Sequence, residues 1–217
     1  MTRLIDLSQT IEADMTTYPG LPGPVITEHL SRADSREHYQ AGTEFLIGRI
    51  DMVGNTGTYL DTPFHRYEEG FDLDGLALEG VADLPGVVVD EVGPELGPET
   101  IEGVEVAGRA VLFHTGWDRH WRTDGYGDPG HPFVSARLAS ALVEAGATLV
   151  GIDSVNIDDT RGGSRPAHSG LLGAGIPVVE HLTGLGGLVG KDFRFFAVPP
   201  KVRGFGTFPV RAFALVR

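Results

Sequence analysis

Along this chain, short apolar runs alternate with glycine- and proline-rich turns. Blocks dominated by Val, Ile, Leu and Phe occur at RLIDLS (3–8), EFLIGRIDM (44–52), GVVVDE (86–91) and RAVLFHT (109–115), then at TLVGID (148–153), FRFFAV (193–198) and PVRAFALV (209–216). Bounded by turn-formers and rich in β-branched and aromatic residues, these blocks predict strands. The clearest helical pattern is SARLASALVEAG (135–146), where Leu138, Ala139, Leu142 and Val143 share a face, Ser135 caps the start and Gly146 ends it. That helix runs straight into the TLVGID strand. High strand content with a helix feeding a strand predicts an α/β fold.

The polar connections are long. Residues 117–134 (WDRHWRTDGYGDPGHPFV) and 154–167 (SVNIDDTRGGSRPA) exceed an ordinary connection and suit binding loops. The second starts just past the C-terminal end of a predicted buried strand, where α/β proteins commonly place ligands. No repeat, low-complexity tract or long single-sign charge run divides the chain, so residues 1–217 read as one domain.

Composition narrows the partners. A formal charge of −13 over 217 residues repels nucleic-acid phosphates and anionic membranes and leaves a small-molecule substrate as the expected partner. With no cysteine, any metal has to be held by His, Asp or Glu. Residues 1–15 hold no apolar stretch suited to a signal peptide, and nothing reaches the ~18 apolar residues of a membrane span, so a cytoplasmic location is expected.

Familiar motifs fail. GLGGLVGKD (184–192) is not a phosphate-binding loop: its first glycine position holds Leu185, Asp192 stands where Ser or Thr is needed, and a strand follows. Neither G-x-S-x-G nor H-E-x-x-H occurs.

Two segments carry candidate chemistry. NTGTYLDTPFH (55–65) places Asp61 and His65 around Pro63, which favours an extended or turning path and lets both side chains converge on a cleft. PAHSGLLGAGIPVVEHL (166–182) sets His168 and Glu180 on either side of a glycine-rich stretch read as a turn. On an extended segment Glu180 and His181 point oppositely, so only one should face a site.

The first segment resembles the H-x-G-T-H-x-D-x-P-x-H signature of the cyclase family, which includes bacterial kynurenine formamidases and isatin hydrolase-like enzymes. The likeness continues in IDLSQTI (5–11), YPG (18–20), FHTGW (113–117), LVGIDSVNID (149–158) and the twelve-residue step from His168 to Glu180. It implies a single-domain α/β fold of the swivelling β/β/α type, a homodimer or homotetramer, and hydrolysis of small amides or lactams with a divalent metal, zinc or manganese. By position it implies Asp61, His168 and Glu180 as metal ligands and His65 as the proton carrier. Asn55 and Tyr59 stand where the signature has its first two histidines. An amide is a weak donor and a phenol ionises only near pH ~10, so most of one metal site is stripped out.

Three readings follow. In the first, one zinc or manganese ion stays on Asp61, His168 and Glu180, His65 shuttles the proton, Tyr59 donates to the oxyanion, and an amide, lactam or lactone is hydrolysed. In the second there is no metal, and Tyr59, Asp61, His65 and Glu180 form an acid/base set for cyclisation, dehydration or isomerisation of a small carbonyl compound. In the third the chain only binds a small molecule. Asn55, Tyr18, Phe64, Trp117 and Arg165 are the expected substrate contacts, Trp121 and Arg161 are weaker candidates, and His114 reads as a core residue.

Overall fold

The computed structural model describes every residue except Met1, Val92 and Arg217. Its first strands are β1 (Arg3–Asp6), β2 (Val25–Leu30), β3 (Ile47–Asp51) and β4 (Tyr59–Asp61), with the single-turn helix α1 (Arg32–Ser35) between β2 and β3. There follow β5 (Leu84–Asp90), β6 (Glu95–Leu96), β7 (Ala110–His114), β8 (Phe133–Val134), helix α2 (Ala136–Glu144) and β9 (Leu149–Ile152). Helix α3 (Pro166–Gly173) leads to β10 (Val178–Glu180), β11 (Phe193–Phe196), β12 (Thr207–Pro209) and β13 (Phe213–Val216).

Nine strands form one mixed sheet in the order β1-β13-β11-β5-β7-β9-β10-β4-β12. The central β5, β7, β9 and β10 are parallel, and the strands on both flanks are antiparallel. Only residues 210–212 link β12, at one end of this order, to β13 beside the other end. Three extended residues reach about 10 Å, so the sheet has to curl until its ends meet. The chain just after β1 bonds across that join: Gln9 N donates to Thr58 Oγ1 at 2.9 Å, and the Ser8 hydroxyl lies 3.2 Å from the carbonyls of both Val210 and Ala212.

The curl creates two apolar cores. One, including Leu60, Leu112, Val179, Phe193 and Phe195, fills the inside. The other, including Val111, Phe113, Val150 and Val178, packs the outer face against Leu138 and Leu142 of α2 and Leu171 of α3. Successive residues of β7 alternate between the two cores, as period-2 geometry requires of a strand covered on both sides. Ser135 caps α2 by accepting the Leu138 N–H at 3.1 Å, as its sequence predicts.

Three expectations change. The block 209–216 is not one strand: the chain leaves β12 at Pro209 and crosses the closure before β13. The block 44–52 yields β3, which pairs only with β2 in a separate two-stranded ribbon. That ribbon is exposed along nearly its whole length, including Val25, Ile26, Ile47 and Ile50. The supposed turn between His168 and Glu180 is mostly the rest of α3, which carries His168 and is started by Pro166, whose missing N–H costs nothing in a first helical turn.

Candidate metal and catalytic site

Strand pairing builds the site. In β4, Tyr59 and Asp61 point to the outer face of the sheet while Leu60 enters the inner core. Antiparallel register sets Glu180 of β10 opposite Tyr59, and Thr207 of β12 opposite Asp61. Helix α3 lies over the same face and brings His168 down onto it.

Asp158, in the loop after β9, fixes that histidine. Its carboxylate accepts the backbone N–H of Ala167 at 2.6 Å, that of His168 at 3.0 Å, and His168 Nδ1 at 2.7 Å. The buried carboxylate thus satisfies the start of α3 and sets the ring tautomer. His168 Nε2 is left 3.6 Å from Asp61 Oδ2 and 3.6 Å from Glu180 Oε1. One ligand atom from each of Asp61, His168 and Glu180 lies within 4.8 Å of the others, and all three residues are buried.

The remaining bonds hold these groups in place. Glu180 Oε1 accepts the Ile157 N–H at 2.6 Å, and Oε2 accepts the Tyr59 hydroxyl at 2.5 Å. Asp61 Oδ1 accepts the Thr207 hydroxyl, whereas Oδ2 is buried without a hydrogen-bond partner among the described residues. Burial pushes Glu180 up to about 7, with His168 opposing and Asp61 adding to the rise. For His168 burial acts downward, but Glu180, Asp158 and Asp61 together hold its imidazolium well above the usual range. Burial, then Glu180 and Asp61, push Tyr59 well above the ordinary phenol range, so it stays protonated and donates.

Those features fit a divalent cation. Two buried carboxylates and one oriented imidazole converge, and an unpartnered carboxylate oxygen points into their midst. Without a cation, the two buried carboxylates are balanced only by protons kept on His168 and Glu180, and two carboxylates with one imidazole suit zinc or manganese. Tyr59 is not the oxyanion donor expected above, because its one proton is committed to Glu180.

A cavity of about 640 Å³ opens over this cluster. Tyr59, His65, His168 and Glu180 line its floor, and Tyr18, Asn55 and Arg165 line it too. Phe64 and Trp117 do not: Phe64 borders a smaller neighbouring hollow with Phe205, and Trp117 donates its ring N–H to Tyr126 O at 2.9 Å. Arg165 uses Nη1 to clasp its own loop through the carbonyls of Asp159, Gly162 and Ser164. Arg161 pairs with Asp159. His114 pairs with Asp90 at 2.7 Å at the end of β7 and is only partly buried, not a core residue. His181, at φ 58°, turns away behind Tyr59, bonding Tyr126 OH through Nδ1 at 2.7 Å, and burial pushes it down to about 3. Of the pair Glu180 and His181, only Glu180 faces the cavity.

Sequence reasoning missed Asp158, Thr207, Arg66, Asn156 and Ser169, the last three of which line the cavity. Asp158 had a usable signal, an acidic residue at the end of the segment after β9. Thr207 had none, since its role depends on strand register.

Comparison with known proteins places the chain in a family. Residues 5–159 match the model of the Cyclase family, described as "Putative cyclase". A kynurenine formamidase of Bacillus cytotoxicus is 30% identical over 96% of this chain and 95% of its own. The structure of a predicted metal-dependent hydrolase from Bacillus stearothermophilus superposes with a TM-score of 0.78 at 25% identity, covering 100% of both chains. Isatin hydrolase A from Labrenzia aggregata, bound to benzyl benzoate, gives 0.82 at 23% identity over 99% of this chain and 94% of that one, a likeness of fold.

Proposed function

Because the chain belongs to the cyclase family, we propose that it hydrolyses a small cyclic or aryl amide, lactam or lactone in the cavity above Asp61, His168 and Glu180. Kynurenine formamidase and isatin hydrolase, by their names, act on such C–N bonds, which makes amides and lactams the first substrates to try. The observation that carries the reading is the unpartnered Asp61 Oδ2 beside His168 and Glu180.

Asp61, His168 and Glu180 would hold one divalent ion, zinc or manganese, which supplies Lewis-acid activation of water and carbonyl when bound. The chain's own groups do the rest. His65, on the short turn after β4 and at the cavity wall, takes the proton of the attacking water at its ring nitrogen and returns it to the leaving nitrogen or oxygen as the acyl bond breaks. Tyr59 holds Glu180 in place through its hydroxyl. The Asn55 amide, on the cavity wall beside Tyr59, offers N–H donors to the carbonyl oxygen as charge develops there.

A second reading, a metal-free acid/base enzyme, is favoured by one observation: Glu180, raised to about 7 and bonded to Tyr59, could trade a proton near neutrality. One experiment separates the two. Protein purified without chelator is assayed against a formylated aryl amine, an aryl-fused lactam and an aryl lactone, before and after chelation and again after zinc or manganese is restored. The hydrolase reading expects turnover lost on chelation and regained with metal. Turnover indifferent to chelation favours the second reading. Replacing His65 by Ala is expected to lower kcat by about 10²–10⁴-fold with metal content retained.

A further inference from the structure

Thr207 sits between the two halves of the catalytic apparatus. Its Oγ1 hydrogen-bonds Asp61 Oδ1 and lies 2.7 Å from His65 Nδ1. Asp61 and His65 do not meet directly, since Oδ1 and Nδ1 are 3.8 Å apart. The hydroxyl is the bridge.

A threonine hydroxyl has one proton. Were it given to His65, the fully buried Asp61 would lose the hydrogen bond at Oδ1 and keep only His168 Nε2, 3.6 Å from Oδ2, whereas the His65 side chain is partly open to solvent. Leaving a buried carboxylate unsatisfied is costly, so the proton goes to Asp61. Thr207 then shows His65 only lone pairs, and His65 Nδ1 has to carry the ring proton. The neutral ring's other nitrogen, Nε2, is left as the unprotonated base. Backbone geometry supports the bridge: Thr62 N donates to Gly206 O at 2.8 Å, and a Cβ on Gly206 would come within 2.4 Å of His65 N. Only glycine lets the β12 chain press this closely against the turn that carries His65.

We infer that Thr207 is a positioning residue that fixes His65 as the Nδ1–H tautomer and leaves Asp61 a single free oxygen for the cation. This rests on His65 being the proton carrier proposed above, and the test separates the two ideas. Protein labelled with ¹⁵N-histidine and supplied with zinc is examined by ¹⁵N NMR at about pH 8.5, well above the ~6.5 of an ordinary imidazole. The His65 signals are assigned by their loss in His65→Asn. Wild type is expected to show a protonated Nδ1 and an unprotonated Nε2, Thr207→Ser to keep that pattern, and Thr207→Val to lose it. In turnover, Thr207→Val should lower kcat by about 10–100-fold, the cost typical of removing an orienting partner, with KM within about twofold, and Thr207→Ser should restore most of it. A wild-type His65 protonated at Nε2 overturns the inference, whether or not the valine variant folds. So does a valine variant with the wild-type pattern. If the tautomer behaves as expected but no amide, lactam or lactone is turned over, the positioning stands and the hydrolase reading falls.

Discussion

Asp158 grips His168 twice, through the backbone N–H at 3.0 Å and through ring Nδ1 at 2.7 Å. One buried carboxylate therefore starts a helix and aims that helix's histidine at two other carboxylates. Replacing Asp158 by Asn keeps the shape but removes the charge and one acceptor lobe. We expect metal affinity to fall by about 10–100-fold, measured by competition with a fluorescent zinc chelator, while circular dichroism stays close to wild type.

Tyr59 stands where the family signature has histidine, and its hydroxyl is the donor to Glu180 Oε2. Tyr59→Phe leaves that buried oxygen unsatisfied and should lower stability by about 1–3 kcal/mol, read from urea unfolding. Adding zinc should recover part of the loss, because a cation bound only to the folded state stabilises it by mass action.

The metal-free protein should lose stability as pH rises. Glu180 is raised by burial from 4.5 to about 7. Against the downward pull of burial, His168 is raised well above 6.5 by Glu180, Asp158 and Asp61. Both groups hold protons more tightly folded than unfolded. Their contribution is present below the unfolded values and is lost as pH climbs through the folded ones. Thermal midpoints of chelated protein should fall from about pH 5 to pH 8, and saturating zinc should flatten that fall at its upper end.

The β2–β3 ribbon leaves Val25, Ile26, Ile47 and Ile50 between 45% and 55% exposed. Register sets Ile26 opposite Ile50 on one face and puts Val25 and Ile47 on the other. A lone two-stranded ribbon exposed on both faces is marginal in water, and its apolar residues suit contact with another chain. Sedimentation should give a dimer or tetramer, the state expected from the family resemblance. The double variant Ile47→Glu, Ile50→Glu should shift it towards monomer with helix and sheet content unchanged.

Much of the fold was legible because its signals are local. The central β5, β7 and β9 are continuous apolar runs, whereas the three-residue β10 carries too short a run to be predicted, and Ser135 and Gly146 bracket α2 within two residues of its ends. The candidate quartet Asp61, His65, His168 and Glu180 could be read from spacing and from the family likeness. What escaped depends on tertiary placement. Helix α3 was hidden by its glycines, since Gly170 and Gly173 lower helix propensity and packing on α2 and the sheet overrides them. The break in 209–216 follows from sheet closure, which no window of residues encodes. Thr207 belongs to the site only because β12 pairs with β4 in the register that sets it opposite Asp61. Phe64 and Trp117 are aromatics close to the motifs in sequence, but neither reaches the cavity wall.

The central claim is that Asp61, His168 and Glu180 together hold one divalent ion. Native mass spectrometry of the protein titrated with zinc or manganese tests it most directly, with Asp61→Asn, His168→Ala and Glu180→Gln run alongside. The account predicts about one ion per wild-type chain and a sharp loss of binding in each variant. Folded wild-type protein that takes up no ion, or variants that bind as well as wild type, would contradict it.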